Sequence, residues 1–168
     1  MGTVTKRIVV FAGLLATPLA TNLCQPAPGK PRPAAKPKSD ARLVRLKQFL
    51  VERDCPITRY AEDFILAADQ NDLDWRLLPS ISFVESSGGK AFQNNNIFGW
   101  NSCKGKFKSV RAGIHYVAHK LGASDVYREK TTDQKLRIYN PRREYSKLVK
   151  SVMASISTLE IPQESAAY

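Results

Sequence analysis

Apolar residues recur along the middle of the chain three or four positions apart, and nowhere do they alternate as a half-buried strand demands. Leu43, Leu46, Phe49 and Leu50 predict a first helix, ended by Cys55-Pro56. Pro56, whose φ is preset for a first helical turn, opens a second with Ile57, Tyr60, Ala61, Phe64, Ile65 and Ala68 facing inward. A third carries Leu77, Leu78, Ile81, Phe83 and Val84. Asp72 or Asp74 is placed to cap it, and Pro79 inside it is expected to kink it. Val110, Ile114, Val117, Ala118 and Leu121 mark a fourth helix, with Gly122 as its stop. A short helical segment follows around Leu136 to Tyr139. The last helix starts near Pro141 and is written by Leu148, Val149, Val152, Met153, Ile156 and Leu159. The pattern predicts one all-α domain over residues 41–159, about 120 residues and long enough to bury a core.

The ends differ in character. Lys6 and Arg7 precede an uncharged apolar run from Ile8 to Leu19, too short for a comfortable membrane span, so residues 1–20 read as a signal peptide or an N-terminal membrane anchor. Lipidation at Cys24 is a third option, disfavoured by the bulk of Leu23. Residues 21–40 hold five of the ten prolines and Lys30, Arg32, Lys36 and Lys38, which predicts an extended, disordered linker. Residues 160–168 are expected to be a disordered tail. Export to the periplasm or cell envelope follows from the leader.

The stretch from Leu77 to Trp100 concentrates the chemistry. On a helix, positions 78, 81, 82 and 85 share one face, so Glu85 stands at the end of an apolar stripe. Ser87-Gly88-Gly89 then stops the helix. Burial and the negative end of the helix dipole both hold a proton on such a carboxyl, which is what a general acid needs; an ordinary solvated glutamate is the plain alternative. Asn94-Asn95-Asn96 and Ile97-Phe98-Gly99-Trp100 follow. Amides there suit sugar hydroxyls and N-acetyl groups, and aromatic faces suit pyranose rings.

The combination Glu-Ser-x-Gly-Gly-Lys, then Asn-Asn-x-Phe-Gly, resembles the glucosaminidase branch of the lysozyme-like superfamily, peptidoglycan hydrolases related to the lytic transglycosylases. Phe107-x-Ser109 followed by Gly113-Ile114 is similar to the same pattern. The resemblance implies a lysozyme-like helical domain with a cleft. It implies Glu85 as the catalytic acid and Ser86, Asn95, Asn96, Phe98, Gly99 and Trp100 as substrate contacts. A tyrosine near Tyr139-Asn140-Pro141 lines the cleft in such enzymes, making Tyr139 the first choice for a catalytic partner and Tyr145 the second; a core aromatic is the alternative for each. The implied reaction is hydrolysis of the β-1,4-linked glycan of peptidoglycan as an N-acetylglucosaminidase. A lytic transglycosylase giving anhydro-muropeptides and an inactive wall-binding domain are the rivals. The transglycosylases' Gly-Leu-Met-Gln segment is absent here, with Asn-Ile-Phe-Gly-Trp in its place.

Other features change the picture less. Glycosidases often carry a second carboxylate, about 5 Å from the acid or about 6.5–9.5 Å. Asp125, Glu129 and Asp133 are the candidates, and none is an obvious partner. Without one, the substrate's own acetamido group or its 6-hydroxyl serves as nucleophile. Ser86 and Ser87 have no evident base. His115 and His119 are four apart, but residue 116 is Tyr and no third ligand is evident, so no metal and no cofactor is expected. In an exported protein Cys55 and Cys103 either form a disulfide or remain two free, partly buried thiols. The formal net charge of +11 suits an acidic wall and equally suits nucleic acid. The leader and the scattered basic residues argue against a DNA-binding module. The partners expected are peptidoglycan glycan strands and an activating or scaffolding envelope protein that completes a small cleft, with no nucleic acid.

Overall fold

A computed structural model describes residues 40–159. The expected leader, the tail and all of the linker but Asp40 lie outside them. The regular elements in this span are helical, with no strand among the described residues: α1 (Ala41–Val51), a 3-10 helix (Pro56–Tyr60), α2 (Ala61–Asp69), α3 (Leu77–Ser86), α4 (Val110–Ala123), α5 (Thr132–Tyr139) and α6 (Arg143–Ser157). The expected all-α class is what is found. No helix among the described residues is long and apolar enough to cross a membrane.

α3 is the axis of the domain. Leu77, Leu78, Pro79, Ser80, Ile81 and Ser82 are all buried, so the helix is enclosed on nearly every side until Glu85. It packs on α6 and α2; α2 packs in turn on α1 and α4, and α5 on α6. One core results, in which Phe49, Phe64, Phe98, Leu78, Ile81, Ile114, Val149 and Ile156 are almost fully shielded. Burying each such side chain contributes roughly 1.5–3 kcal/mol against the entropy of ordering the chain.

The second helix begins at Pro56 as expected, but as a 3-10 turn that becomes α-helical only at Ala61. The Cys55 carbonyl accepts from both the amide and the hydroxyl of Thr58, which tightens that turn. Pro79 does not need to kink α3. With Arg76 as N-cap, it is the third helical residue, and the first-turn N–H it lacks would have had no intrahelical acceptor. Neither Asp72 nor Asp74 caps α3; the Asp74 carboxylate instead accepts from the Arg76 amide at 2.9 Å, just ahead of the helix. Leu148, placed on the inner face by its spacing, is 51% exposed: Tyr145, Val149, Val152, Met153 and Ile156 form that face, and Leu148 lies one position off it. α5 is a full helix opened by a capping box, in which Thr131 accepts from the Gln134 amide and the Gln134 side chain accepts from the Thr131 amide.

Gly122 does not stop α4, which runs on to Ala123. The glycine serves packing: a Cβ there would lie 2.4 Å from the Asn71 carbonyl oxygen in the loop after α2. Gly122→Ala is therefore expected to destabilise the domain by about 1–3 kcal/mol, because backbone must move to admit the methyl group. Thermal denaturation reads this directly; an unchanged midpoint would mean that the α2–α4 seam is looser than it is drawn here.

Candidate active site

Glu85 occupies the last turn of α3, past the point where the helix is enclosed. Ser87 ends the helix in the left-handed conformation at φ 52°. The Ser86 carbonyl then collects the amides of Gly89, Lys90 and Ala91. The Ser86 hydroxyl donates to the Ser82 carbonyl at 2.8 Å and accepts from the Gly89 amide at 3.1 Å. Ser86 is thus a stitch at the helix end and does not face the cleft, contrary to its expected role as a substrate contact.

The loop from Asn94 to Lys108 wraps over this end. The side chains of Asn95 and Asn96 are consumed in holding it. Asn95 donates to the Phe107 carbonyl at 2.9 Å. Asn96, 5% exposed, donates to the carbonyls of Trp100 and Gly105 and accepts from the Trp100 amide at 3.0 Å. Phe98 is fully buried, edge-on to Phe64. Asn95 and Phe98 therefore shape the site from behind, and Asn96, its amide committed to the loop, also lines the groove. An amide buried beside backbone carbonyls is worth more to the loop than to a solvated sugar, because leaving those carbonyls unpaired would cost their full desolvation.

Gly99 is where loop and acid meet. Its φ is +62°, and a Cβ on it would lie 2.5 Å from Oε2 of Glu85. Only glycine lets the backbone take that conformation and the carboxyl lie against it. Two cavities share Gly99 in their walls. One, about 460 Å³, is lined by Trp100, Asn101, Ser102, Tyr116, Tyr127 and Tyr139. The other, about 550 Å³, is lined by Glu85, Ala91, Phe92, Gln93, Asn96 and Cys103. Glu85 thus sits where two halves of an open groove join. Of the residues expected to bind substrate, Asn96, Gly99 and Trp100 are among those that line it.

Two tyrosines from the opposite wall complete the site, one on α5 and one on α6. Tyr139 and Tyr145 stack at 6.0 Å with rings nearly parallel, and Trp100 packs against Tyr139 at 5.7 Å. Tyr139 was the first choice for a catalytic partner, yet its hydroxyl is committed: it donates to the Phe98 carbonyl and so pins the loop next to Gly99. Tyr145, the second choice, is the freer of the two. Its hydroxyl is buried without a well-formed hydrogen bond, close enough to Glu85 to favour the ionised carboxylate somewhat. Burial acts more strongly in the other direction, and the Glu85 carboxyl stands above the usual carboxylate range. Burial, with the nearby Glu85 charge, also holds both tyrosines protonated well beyond neutral pH.

Among the described residues, no second carboxylate lines either half of the groove. Asp125 and Glu129 are exposed and pair with Arg128, and Asp133 pairs with Lys150 elsewhere. His115 lies 3.9 Å from Asp63, which Arg111 already engages, and among the described residues no three potential metal ligands converge. The Cys55–Cys103 disulfide is absent and both thiols are free. Cys55 is turned into the seam under Gly88, where a Cβ would come within 2.3 Å of its sulfur, and burial raises its pKa. Cys103 stands exposed at the mouth of the groove. Tyr116, Tyr127, Phe92 and Gln93 line the groove unforeseen. They lie outside the motif stretch or read as loop filler, and only the packing of α4 and the 124–130 turn brings them there.

A carboxyl whose folded-state pKa is raised favours the fold most when protonated. Its contribution is whole below the unfolded value near 4.5 and is lost as pH rises through the folded value. Glu85→Gln, which cannot ionise, is therefore expected to gain stability relative to the unsubstituted protein as pH rises from about 4 to 8. Urea unfolding across that range measures the difference; a gap that stays flat or narrows would place Glu85 in a solvated setting. Comparison of the sequence with protein-family models and with curated proteins gives no match.

Proposed function

We propose that this chain is an exported peptidoglycan hydrolase of lysozyme-like fold, acting as an N-acetylglucosaminidase on the β-1,4-linked glycan with Glu85 as general acid. The observation that carries the reading is a single half-buried carboxyl, its pKa raised by burial, at the junction of a groove walled by Trp100, Tyr116 and Tyr127. The open groove suits an extended polymer, and the aromatic faces suit sugar rings. In this mechanism Glu85 gives its proton to the glycosidic oxygen as the bond to the anomeric carbon breaks and positive charge develops on the sugar. With no protein carboxylate across the groove, the carbonyl oxygen of the substrate's acetamido group closes on that carbon. Water then opens the ring so formed, and the Glu85 carboxylate takes up its proton.

The same absence of a second carboxylate favours one rival, intramolecular attack by the sugar 6-hydroxyl to give an anhydro product, as in the lytic transglycosylases. An exposed run of lysines at the rim, Lys104, Lys106 and Lys108, would attract the carboxylates of peptidoglycan stems to either enzyme. The site of action in this reading is the periplasm or cell envelope, and an envelope protein that completes the groove remains part of the proposal.

Digestion of purified peptidoglycan by the full chain, with products read by mass spectrometry, tests the assignment. Reducing-end N-acetylglucosamine is expected, and Glu85→Gln should lower its release by about 10²–10⁴. Anhydro-muropeptides would assign the transglycosylase instead, and equal release by both proteins would remove Glu85 from the chemistry. Tyr145→Phe makes a finer prediction. Loss of the hydroxyl that favours the carboxylate raises the Glu85 pKa further, so the alkaline limb of the pH–rate profile should move to higher pH. An unmoved limb would mean that Tyr145 does not act on the acid.

A further inference from the structure

Away from the groove, the outer corner of α5 and α6 encloses a cavity of about 160 Å³ lined by Asp133, Arg137, Arg143, Ser146, Lys147 and Lys150. At about 30 Å³ per liquid water, it holds the equivalent of roughly five waters. Four of its six lining side chains are cationic. The one carboxylate, Asp133, is bound by Lys150 at 2.8 Å and kept ionised by it, with smaller help from Arg137 and the nearby Ser146 hydroxyl. Arg137, Arg143 and Lys147 make no ion pair among the described residues, and no side-chain hydrogen bond is formed by any of the three there. Cations gathered so closely repel one another, and an anion among them removes that cost.

Two further observations point the same way. Ser146 is 8% exposed, and its hydroxyl stands in the cavity wall near the Asp133 carboxylate without a well-formed hydrogen bond among the described residues. The wall is also the first turn of α6, a 15-residue helix whose N-cap, Arg142, supplies no side-chain cap. The positive end of the helix dipole therefore lies at the Arg143 edge of the cavity, in a first turn that also carries Glu144.

We propose that this corner binds a phosphate group, gripped by the forked guanidinium donors of Arg137 and Arg143, with Lys147 as a third cation and the Ser146 hydroxyl as a neutral donor. A planar fork matches two phosphate oxygens at once, which a spherical anion cannot exploit. The phosphate belongs either to a soluble phosphate compound or to the headgroup of an anionic lipid, and the surface position of the cavity admits both. The site does not depend on the glycan-cleaving role of Glu85.

Titration of the full chain with inorganic phosphate at constant ionic strength, followed by calorimetry, tests it. One saturable site is expected, weakened about tenfold or more in Arg137→Ala/Arg143→Ala and less in Ser146→Ala, and unchanged in Glu85→Gln. All three positively charged side chains are exposed, and a thermal melt verifies that the double variant is folded. Flotation with phosphatidylglycerol vesicles, beside phosphatidylcholine vesicles, separates the sources. Vesicle binding that falls in the double variant assigns the lipid headgroup; phosphate binding with no such fall assigns a soluble compound. Absence of saturation below about 10 mM phosphate, an equal response to chloride, or an unaltered double variant overturns the proposal.

Discussion

The site depends on one close approach, that of the Glu85 carboxyl to the backbone of Gly99. A carboxyl partly removed from water needs either a cation or a proton, and no cation stands next to this one. Its pKa is raised accordingly. The approach requires a left-handed residue without a Cβ at the turn of the loop, and it requires that loop to be held rigidly over the end of α3. The side chains of Asn95, Asn96 and Tyr139 meet the second demand, each bonded to a backbone carbonyl of the loop.

The division of labour around the acid follows from burial. Asn96 is buried and Asn95 half-buried, and their amides find backbone carbonyls as partners within the protein. The groove wall is aromatic because Trp100, from the loop, packs edge to face on Tyr116 of α4 and at a tilt on Tyr139 of α5. Tyr145, like Ser80 and Ser82 on α3, has a buried hydroxyl with no well-formed bond. Such a group is costly unless something else uses it, and the nearest candidate is Glu85 itself or whatever Glu85 acts upon.

α5 and α6 serve two surfaces. Their inner sides bring Tyr139 and Tyr145 to the acid, and their outer corner gathers the cations around Ser146. A short helix held by the Thr131–Gln134 capping box and a long one opened without a cap meet there, so the same junction that orders the tyrosines leaves helix-end donors free.

Much of the helical frame was legible in the chain alone. The period of apolar residues located α1, α2, α4 and α6 within a few positions, because a helix that must bury one stripe writes that stripe at 3.6-residue spacing. The place of Glu85 at the end of a buried face was equally readable, since it depends on spacing within a single helix. What the sequence left undecided depends on contacts between distant segments. Asn95 and Asn96 look the same whether they face a sugar or a carbonyl of their own loop, and only the fold of that loop turns them inward. Tyr139 and Tyr145 differ in role because one reaches Phe98, forty-one residues away, and the other does not. Cys55 and Cys103 stay apart for the same reason: pairing needs two backbones brought together with the right aim, which spacing along a chain does not encode.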